Sequence, residues 1–409
     1  MDSLRIVSAP TKLNCSIQLP HSKSQSNRAL IIQALSGGQV HGLSESTDTQ
    51  VLKKTLSENQ VTYYGGSAGT ACRFLIALAC FQNKNKVVDG SPQMKTRPIE
   101  GLINALNKLG FKIEYIENHG RLPVKITPID FSNLKNSVQL DPSTSSQFVS
   151  ALMLIAPMLP NGLIIQLTKT LTSAPYVNLT KEVMEQSGAQ VSFNANEISI
   201  KPKPYKNVDI SIEPDWSAAS YWFEMAAFSL ESEIRLIGLN LNSTQGDRAA
   251  TQFFKKFGVE THSENNDTVL RKKTGKPRDL QLKLDLKNTP DLAQTLWATC
   301  AGLHVSSQFS GLKTLVNKET DRVFAMKSEL KKIGYVLSER GVGVVCGNYH
   351  QIDVSSASFQ TYDDHRMAMS LAPLSMLNTG ISIENPIVVQ KSYPHYWRDL
   401  ETAGFIFES

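Results

Sequence analysis

Six times along this chain a cluster of small polar residues opens into an apolar run rich in Ala, Leu and Met. The copies are SKSQSNRALIIQAL from Ser22, SAGTACRFLIALAC from Ser67, STSSQFVSALMLIA from Ser143, DWSAASYWFEMAAF from Asp215, DLAQTLWATCAGL from Asp291 and DDHRMAMSLAPLSML from Asp363. Ser, Thr and Asp accept hydrogen bonds from the open amides of a first helical turn, so each copy predicts an N-capped helix. Each helix body is apolar on nearly every face, which predicts burial on all sides. A chain with six such helices must wrap other elements around them.

A second element recurs between these copies. RPIEGLINALNKLGFKI, SAPYVNLTKEVMEQSGAQV, GDRAATQFFKKFGVET, TDRVFAMKSELKKIGYVL and YPHYWRDLETAGFIF each read as an amphipathic helix that stops at Gly and runs into a strand. The stops are Gly110, Gly188, Gly258, Gly334 and Gly404, spaced by 78, 70, 76 and 70 residues. Glycine ends a helix here because it takes the left-handed conformation cheaply. A weaker sixth copy, TDTQVLKKTLSENQV from Thr47, lacks the Gly. Strand-like segments lie between: KVVDG, VSFNANEISI, DISIE, LQLKLDL and ISIENPIVV. Any mixed α/β chain alternates in this way, but six matching cap signatures make coincidence harder. The chain reads as six copies of a two-helix unit with short strands.

The 409 residues suggest two or three domains at roughly 150 residues per domain. With 41% hydrophobic and 19% charged residues, disorder, collagen-like repeats and a coiled-coil rod are disfavoured. No apolar run approaches the roughly 18 residues of a membrane helix; the longest, from Val149, is cut by Pro157 and Pro160. MDSLRIVSAP shows no signal-peptide pattern. Cys15, Cys72, Cys80, Cys300 and Cys346 are scattered, with no CxxC pair. That argues against a structural metal site and suits a reducing cytoplasm.

The net charge of +5 is resolved by where the cations fall. Lys23 and Arg28 flank Ser22, Ser24 and Ser26 at one helix start, and Arg73 closes the Gly-rich turn GGSAGTACR. Arg97 stands before Pro98, NKETDR packs Lys318, Glu319, Asp321 and Arg322 together, DDHRMAM holds His365 and Arg366, and Lys391 precedes the last helix. Charge runs of this kind ordinarily mark a solvated first turn, and a lone His there a cap partner. Yet cations at successive helix starts, where amides and the helix dipole already favour anions, suit a pocket for small polyanions. Nucleic-acid binding would instead call for a basic stripe with aromatics. Asp291 and Glu319 among the cations could serve as general acid or base.

Taken in order, LPHSKSQSNRAL, SAGTACR, MKTRPI, STSSQF, SAPY, DWSAASY, TPDLA, NKETDR and DDHRMAM resemble the 5-enolpyruvylshikimate-3-phosphate synthase family of enolpyruvyl transferases. The matches run from Lys23 to Lys391. The resemblance implies an α/β fold of two similar domains, each of three βαβαββ repeats around buried central helices, an inside-out α/β barrel with the active site in the interdomain cleft. It implies one domain over 22–212, mainly for shikimate 3-phosphate. The other, 1–21 plus 213–409, would supply catalytic carboxylates and much of the phosphoenolpyruvate site. The implied reaction moves the enolpyruvyl group of phosphoenolpyruvate to the 5-hydroxyl of shikimate 3-phosphate, without metal or organic cofactor. It also implies a monomer.

Residue by residue, the resemblance makes Lys23 a contact to both substrates, and a catalytic residue with Asp291, the proton acceptor, and Glu319, the proton donor. It assigns shikimate 3-phosphate to Ser24, Arg28, Ser145, Ser146, Gln147, Ser173, Tyr176, Asp291 and Lys318. It assigns phosphoenolpyruvate to Lys23, Gly69, Arg97, Gln147, Arg322, Arg366 and Lys391, with Arg73 and His365 in support. The sequence departs from the family at His21 for Gly, Ser67 for Asn, Phe74 for Pro and Thr314 for Asn, and none of these removes a catalytic group. Gly69 leaves room beside the phosphoenolpyruvate position, which implies inhibition by glyphosate. The alternatives are a UDP-N-acetylglucosamine enolpyruvyl transferase, which would need a loop Cys absent between Cys80 and Cys300, and a non-catalytic phosphate-binding relative, disfavoured by intact Lys23, Asp291 and Glu319.

Overall fold

A computed structural model describes residues 2–58, 60–273, 281–352, 356–378 and 380–408. The chain packs into two compact units: Met1–Pro20 with Glu213–Ser409, and the inserted His21–Ile212. Each has its own hydrophobic core. No helix of the described residues is long and apolar enough to cross a membrane.

All six apolar runs are helices. In the inserted unit they are Lys23–Ser36, Gly69–Gln82 and Ser146–Ile155; in the other unit they are Trp216–Phe228, Ala293–Gly302 and His365–Leu371. Within each unit the three pack against one another. Residues from Ala71 to Cys80 are buried without interruption, as are those from Ala218 to Phe228. A helix buried all round cannot show an amphipathic stripe, which is why these segments read as uniformly apolar.

Sheets surround each helix trio. Five four-stranded sheets share one pattern: a parallel pair, then two antiparallel partners. Each parallel pair brackets one buried helix. Thr62–Tyr64 and Lys86–Asp89 bracket Gly69–Gln82, for example, and Gln281–Asp285 and Ser306–Ser310 bracket Ala293–Gly302. Parallel strands need such a crossover, because a tight turn cannot join them. Lys12–Ile17 pairs in parallel with Glu231–Leu236, and the whole inserted unit falls between Lys12–Ile17 and its helix. The sixth copy keeps only a two-residue parallel pair, Val40–His41 with Ile210–Ser211.

The amphipathic helices end as expected. Gly110, Gly188, Gly258, Gly334 and Gly404 all have positive φ, between 79° and 112°. Four of the six caps also form: Ser22, Ser145, Asp215 and Asp364 each accept a first-turn amide. Two expected caps do not. Ser67 instead pairs with the Ser91 hydroxyl at 2.7 Å, and the helix from Gly69 has no side-chain cap. Asp291 lies inside a 3-10 turn, Pro290–Leu292, and its carboxylate meets Lys318 and Arg322. ISIENPIVV is a strand only over Ile381–Glu384; from Pro386, which has no amide to pair, the chain turns 3-10 through Lys391.

Candidate active site

In the inserted unit, the candidate residues gather where the buried helices begin. Lys23, the first residue of its helix, bonds Asp48 at 3.0 Å. One turn on, Arg28 is almost fully buried. It donates to Thr180 Oγ1 at 2.7 Å and to the carbonyls of Ser24 at 2.7 Å and Tyr176 at 3.0 Å. Its guanidinium lies 5.4 Å from the Phe74 ring centroid. Phe74 thus packs on one of the candidate cations. Burial lowers Arg28 to about 10, opposed by the tyrosyl group of Tyr176, so it stays charged at neutral pH.

Around Gly69 two arginines converge. A Cβ there would lie 2.8 Å from Arg73 Nη1 and 3.0 Å from the Cζ of Arg97. Arg73 also donates to Gln147 Oε1 and, at 3.0 Å, to the Pro98 carbonyl, and it sits over the Phe148 ring. Two buried guanidiniums at an uncapped helix start make a strong anion site. Ser145 caps the third helix through the Gln147 amide at 3.2 Å, and Ser146 follows it. Ser173 precedes the Ala174–Gln186 helix at φ 55°, ψ 41°, left-handed although not glycine. Such backbones cost on the order of 1 kcal/mol and cluster at functional positions.

In the other unit, the candidates centre on Arg322, which is 2% exposed rather than in a solvated first turn. Its guanidinium meets three carboxylates: Asp364 at 2.7 Å, Asp291 at 2.7 Å and Glu319 at 2.8 Å. Burial works to lower its pKa, but these three outweigh it and the net effect is upward. Asp291 also bonds Lys318 at 3.0 Å, and Glu319 lies 3.9 Å from Lys391. Burial pushes Lys318 down, partly opposed by Asp291. Arg366 donates to the Asp291 carbonyl at 3.2 Å, and its Nη2 lies 3.6 Å from Asp291 Oδ2. His365 Nδ1 is 3.6 Å from Asp364 Oδ1.

Asp291 and Glu319 therefore share one buried guanidinium. That fixes two potential proton carriers close to each other, among cations that can hold phosphates and carboxylates and stabilise developing charge. Sequence reasoning missed four contributors: Asp48 beneath Lys23, Asp364 beneath Arg322, and Ser217 and Asp247 behind Arg366. Asp364 could have been found, since it stands in the DDHRMAM motif.

Comparisons with known proteins bear on the family and the fold. The family model described as EPSP synthase (3-phosphoshikimate 1-carboxyvinyltransferase) matches residues 44–400. A 3-phosphoshikimate 1-carboxyvinyltransferase of Bacteroides fragilis is 42% identical over 404 residues, covering 98% of each chain. The enzyme of that name from Vibrio atlanticus is 31% identical, over 95% of this chain and 97% of that one. Among solved structures, EPSP synthase from Acinetobacter baumannii superposes with a TM-score of 0.79 at 20% identity, over 100% of this chain and 99% of that one. The enolpyruvyl transferase NikO from Streptomyces tendae superposes at 0.75 with 14% identity, over 100% and 98%. At those identities the structural likeness speaks for the fold, and the sequence matches carry the family. By the family-model match and the sequence identities, this chain belongs to the EPSP synthase family.

Proposed function

We infer that the chain transfers the enolpyruvyl group of phosphoenolpyruvate to the 5-hydroxyl of shikimate 3-phosphate, releasing phosphate. The observation that carries this reading within the structure is Arg322 bonded to both Asp291 and Glu319, with Lys318, Arg366 and Lys391 around them. Family membership supplies the reaction; this cluster supplies the chemistry it needs.

Shikimate 3-phosphate is read onto Lys23, Ser24, Arg28, Ser145, Ser146, Gln147, Ser173, Tyr176, Asp291 and Lys318. Phosphoenolpyruvate is read onto Lys23, Gly69, Arg97, Gln147, Arg322, Arg366 and Lys391. The 5-oxygen bonds to C2 of phosphoenolpyruvate and its proton passes to Asp291, while C3 takes a proton from Glu319. The tetrahedral intermediate then loses a proton from C3 and expels phosphate. Dense cations offset the repulsion of two phosphates and two carboxylates. The reading carries with it a monomer acting in the cytoplasm, and inhibition by glyphosate as a phosphoenolpyruvate competitor. An inhibition curve flat into the millimolar range would remove that last element.

The deciding experiment is phosphate release from phosphoenolpyruvate, with shikimate 3-phosphate and, separately, UDP-N-acetylglucosamine as acceptor. Release with shikimate 3-phosphate alone is expected. Release with the nucleotide sugar alone, or with neither acceptor from folded protein, overturns the reading.

A further inference from the structure

Behind Arg366 lies a second acidic group that the reaction scheme does not use. Arg366 Nη2 donates to Ser217 Oγ at 3.2 Å, and Ser217 Oγ donates in turn to Asp247 Oδ2 at 2.5 Å. Asp247 is only 4% exposed, and its Oδ1 has no hydrogen-bond partner among the described residues. A buried carboxylate with one oxygen unsatisfied is costly, and such a group is retained where it does something else. The three residues come from different elements: Asp247 from the 3-10 turn Gly246–Ala249, Ser217 from the first turn of Trp216–Phe228, and Arg366 from the first turn of His365–Leu371.

We propose that Asp247 is a positioning residue which, through the Ser217 hydroxyl, holds the Arg366 guanidinium in the orientation that receives the anionic substrate. The inference rests on the transfer reading above. Ser217 has one proton to give. By taking it, Asp247 turns the hydroxyl's lone pairs towards Arg366, which the Asp291 carbonyl and the more distant Asp291 carboxylate hold from another side. A guanidinium held from two sides keeps its remaining donors aimed, and aimed donors cost no reorganisation when the ligand arrives. Because Ser217 lies between the two groups, the carboxylate acts without neutralising Arg366 in a direct pair.

The charged groups facing Asp247 are Arg366, Asp291 and Asp215. Its carboxyl is raised to about 6, chiefly by burial and also by Asp291 and Asp215, while Arg366 and the Ser217 hydrogen bond pull it down. Protonation removes the charge that holds Ser217, so the device is engaged above that pH and released below it.

The test uses the full-length chain with Ser217→Ala, Asp247→Asn and the double substitution. Ser217→Ala is expected to raise the KM for phosphoenolpyruvate about tenfold or more, the loss of one charge-assisted hydrogen bond, and Asp247→Asn, which keeps only a neutral acceptor, is expected to raise it by less. The KM for shikimate 3-phosphate should stay within about twofold, a change of under 0.5 kcal/mol. The double variant should be no worse than Ser217→Ala alone, since that change already breaks the chain. In the wild type that KM for phosphoenolpyruvate should rise as pH falls through about 6 relative to Asp247→Asn, in which the added limb is gone. Additive losses, or equal losses for both substrates, overturn the proposal. Crystal structures of the two single variants test the positioning directly: an unmoved Arg366 guanidinium refutes it, even if the wild-type chain releases no phosphate and the transfer reading falls.

Discussion

Arg322 and Asp364 form a buried pair: Nε lies 2.7 Å from Oδ2, with side-chain exposures of 2% and 0%. Asp364 has a second task, since its Oδ1 accepts the Arg366 amide at 2.9 Å and caps the His365–Leu371 helix. Breaking a buried pair from one side strands the other charge, at about 3 kcal/mol or more. Asp364→Ala should therefore lower the urea-unfolding free energy by at least that amount. Asp364→Asn, which keeps an acceptor for the cap, should cost less. Equal losses in the two variants would mean that the cap contributes nothing, and a loss well under that amount in both would mean that the ion pair contributes nothing.

Asp291 and Glu319 should separate by substitution. Glu319→Gln keeps the shape and one bond to Arg322, so binding should survive while turnover falls by roughly 10²–10⁴-fold, the usual contribution of a general acid–base group. Asp291→Ala should lose turnover on the same scale. Asp291 also bonds Lys318 and Arg322, so this variant should weaken shikimate 3-phosphate binding more than Glu319→Gln does. Steady-state kinetics with a binding titration checks both, and full turnover in either variant contradicts its role.

Gly69→Ala tests the converging arginines. The added methyl would stand within 3.0 Å of both Arg73 and Arg97, so one guanidinium must move. Overpacking of this kind costs about 1–3 kcal/mol. The KM for phosphoenolpyruvate should rise about tenfold, roughly 1.4 kcal/mol on the same scale, with little change for shikimate 3-phosphate. An unchanged value would show that the space beside Gly69 is not used by the ligand.

Ser173 holds a left-handed backbone at φ 55°. Ser173→Gly removes the strain but adds unfolded-state entropy, and the two nearly cancel, within about 1 kcal/mol. Stability should therefore stay level while shikimate 3-phosphate binds more weakly, because the hydroxyl is gone. A variant with wild-type affinity would remove Ser173 from the ligand set.

Glu224 lies fully buried in the Trp216–Phe228 helix, and neither carboxyl oxygen has a hydrogen-bond partner among the described residues. Burial pushes its carboxyl well above the usual range. The folded chain thus keeps this proton at pH values where the unfolded chain, with a pKa of about 4.3, releases it. Below that pH both states are protonated and there is no penalty. As pH rises above it, stability falls, by at most about 1.4 kcal/mol per pH unit. Glu224→Gln should lack that decline, so the stability difference between variant and wild type should widen from pH 5 to 8. A constant difference in urea unfolding across that range would refute the buried neutral acid.

Much of the architecture was legible because it is local. A cap is a bond from a side chain to an amide two or three residues on, as with Ser22 to Gln25 and Asp215 to Ser217. A helix stop is one residue's φ, as at Gly110 and Gly404. The exceptions, Ser67 and Asp291, stand at the uncapped helices beside Gly69 and Arg322, where Ser67 pairs with the Ser91 hydroxyl and Asp291 with cations instead. Local rules fail most where function competes with them.

The amino-acid order by itself thus determined the six buried helices, their strands, their stops and which residue types could handle two anionic substrates. Only the tertiary structure decided which cation meets which carboxylate. Arg322 joins Asp291 and Asp364 across 31 and 42 residues, Arg28 reaches Thr180 across 152, and Arg366 reaches Ser217 across 149. Such pairings depend on strand order and helix packing rather than on spacing, and the field at each buried charge is set by neighbours that the sequence does not place next to it.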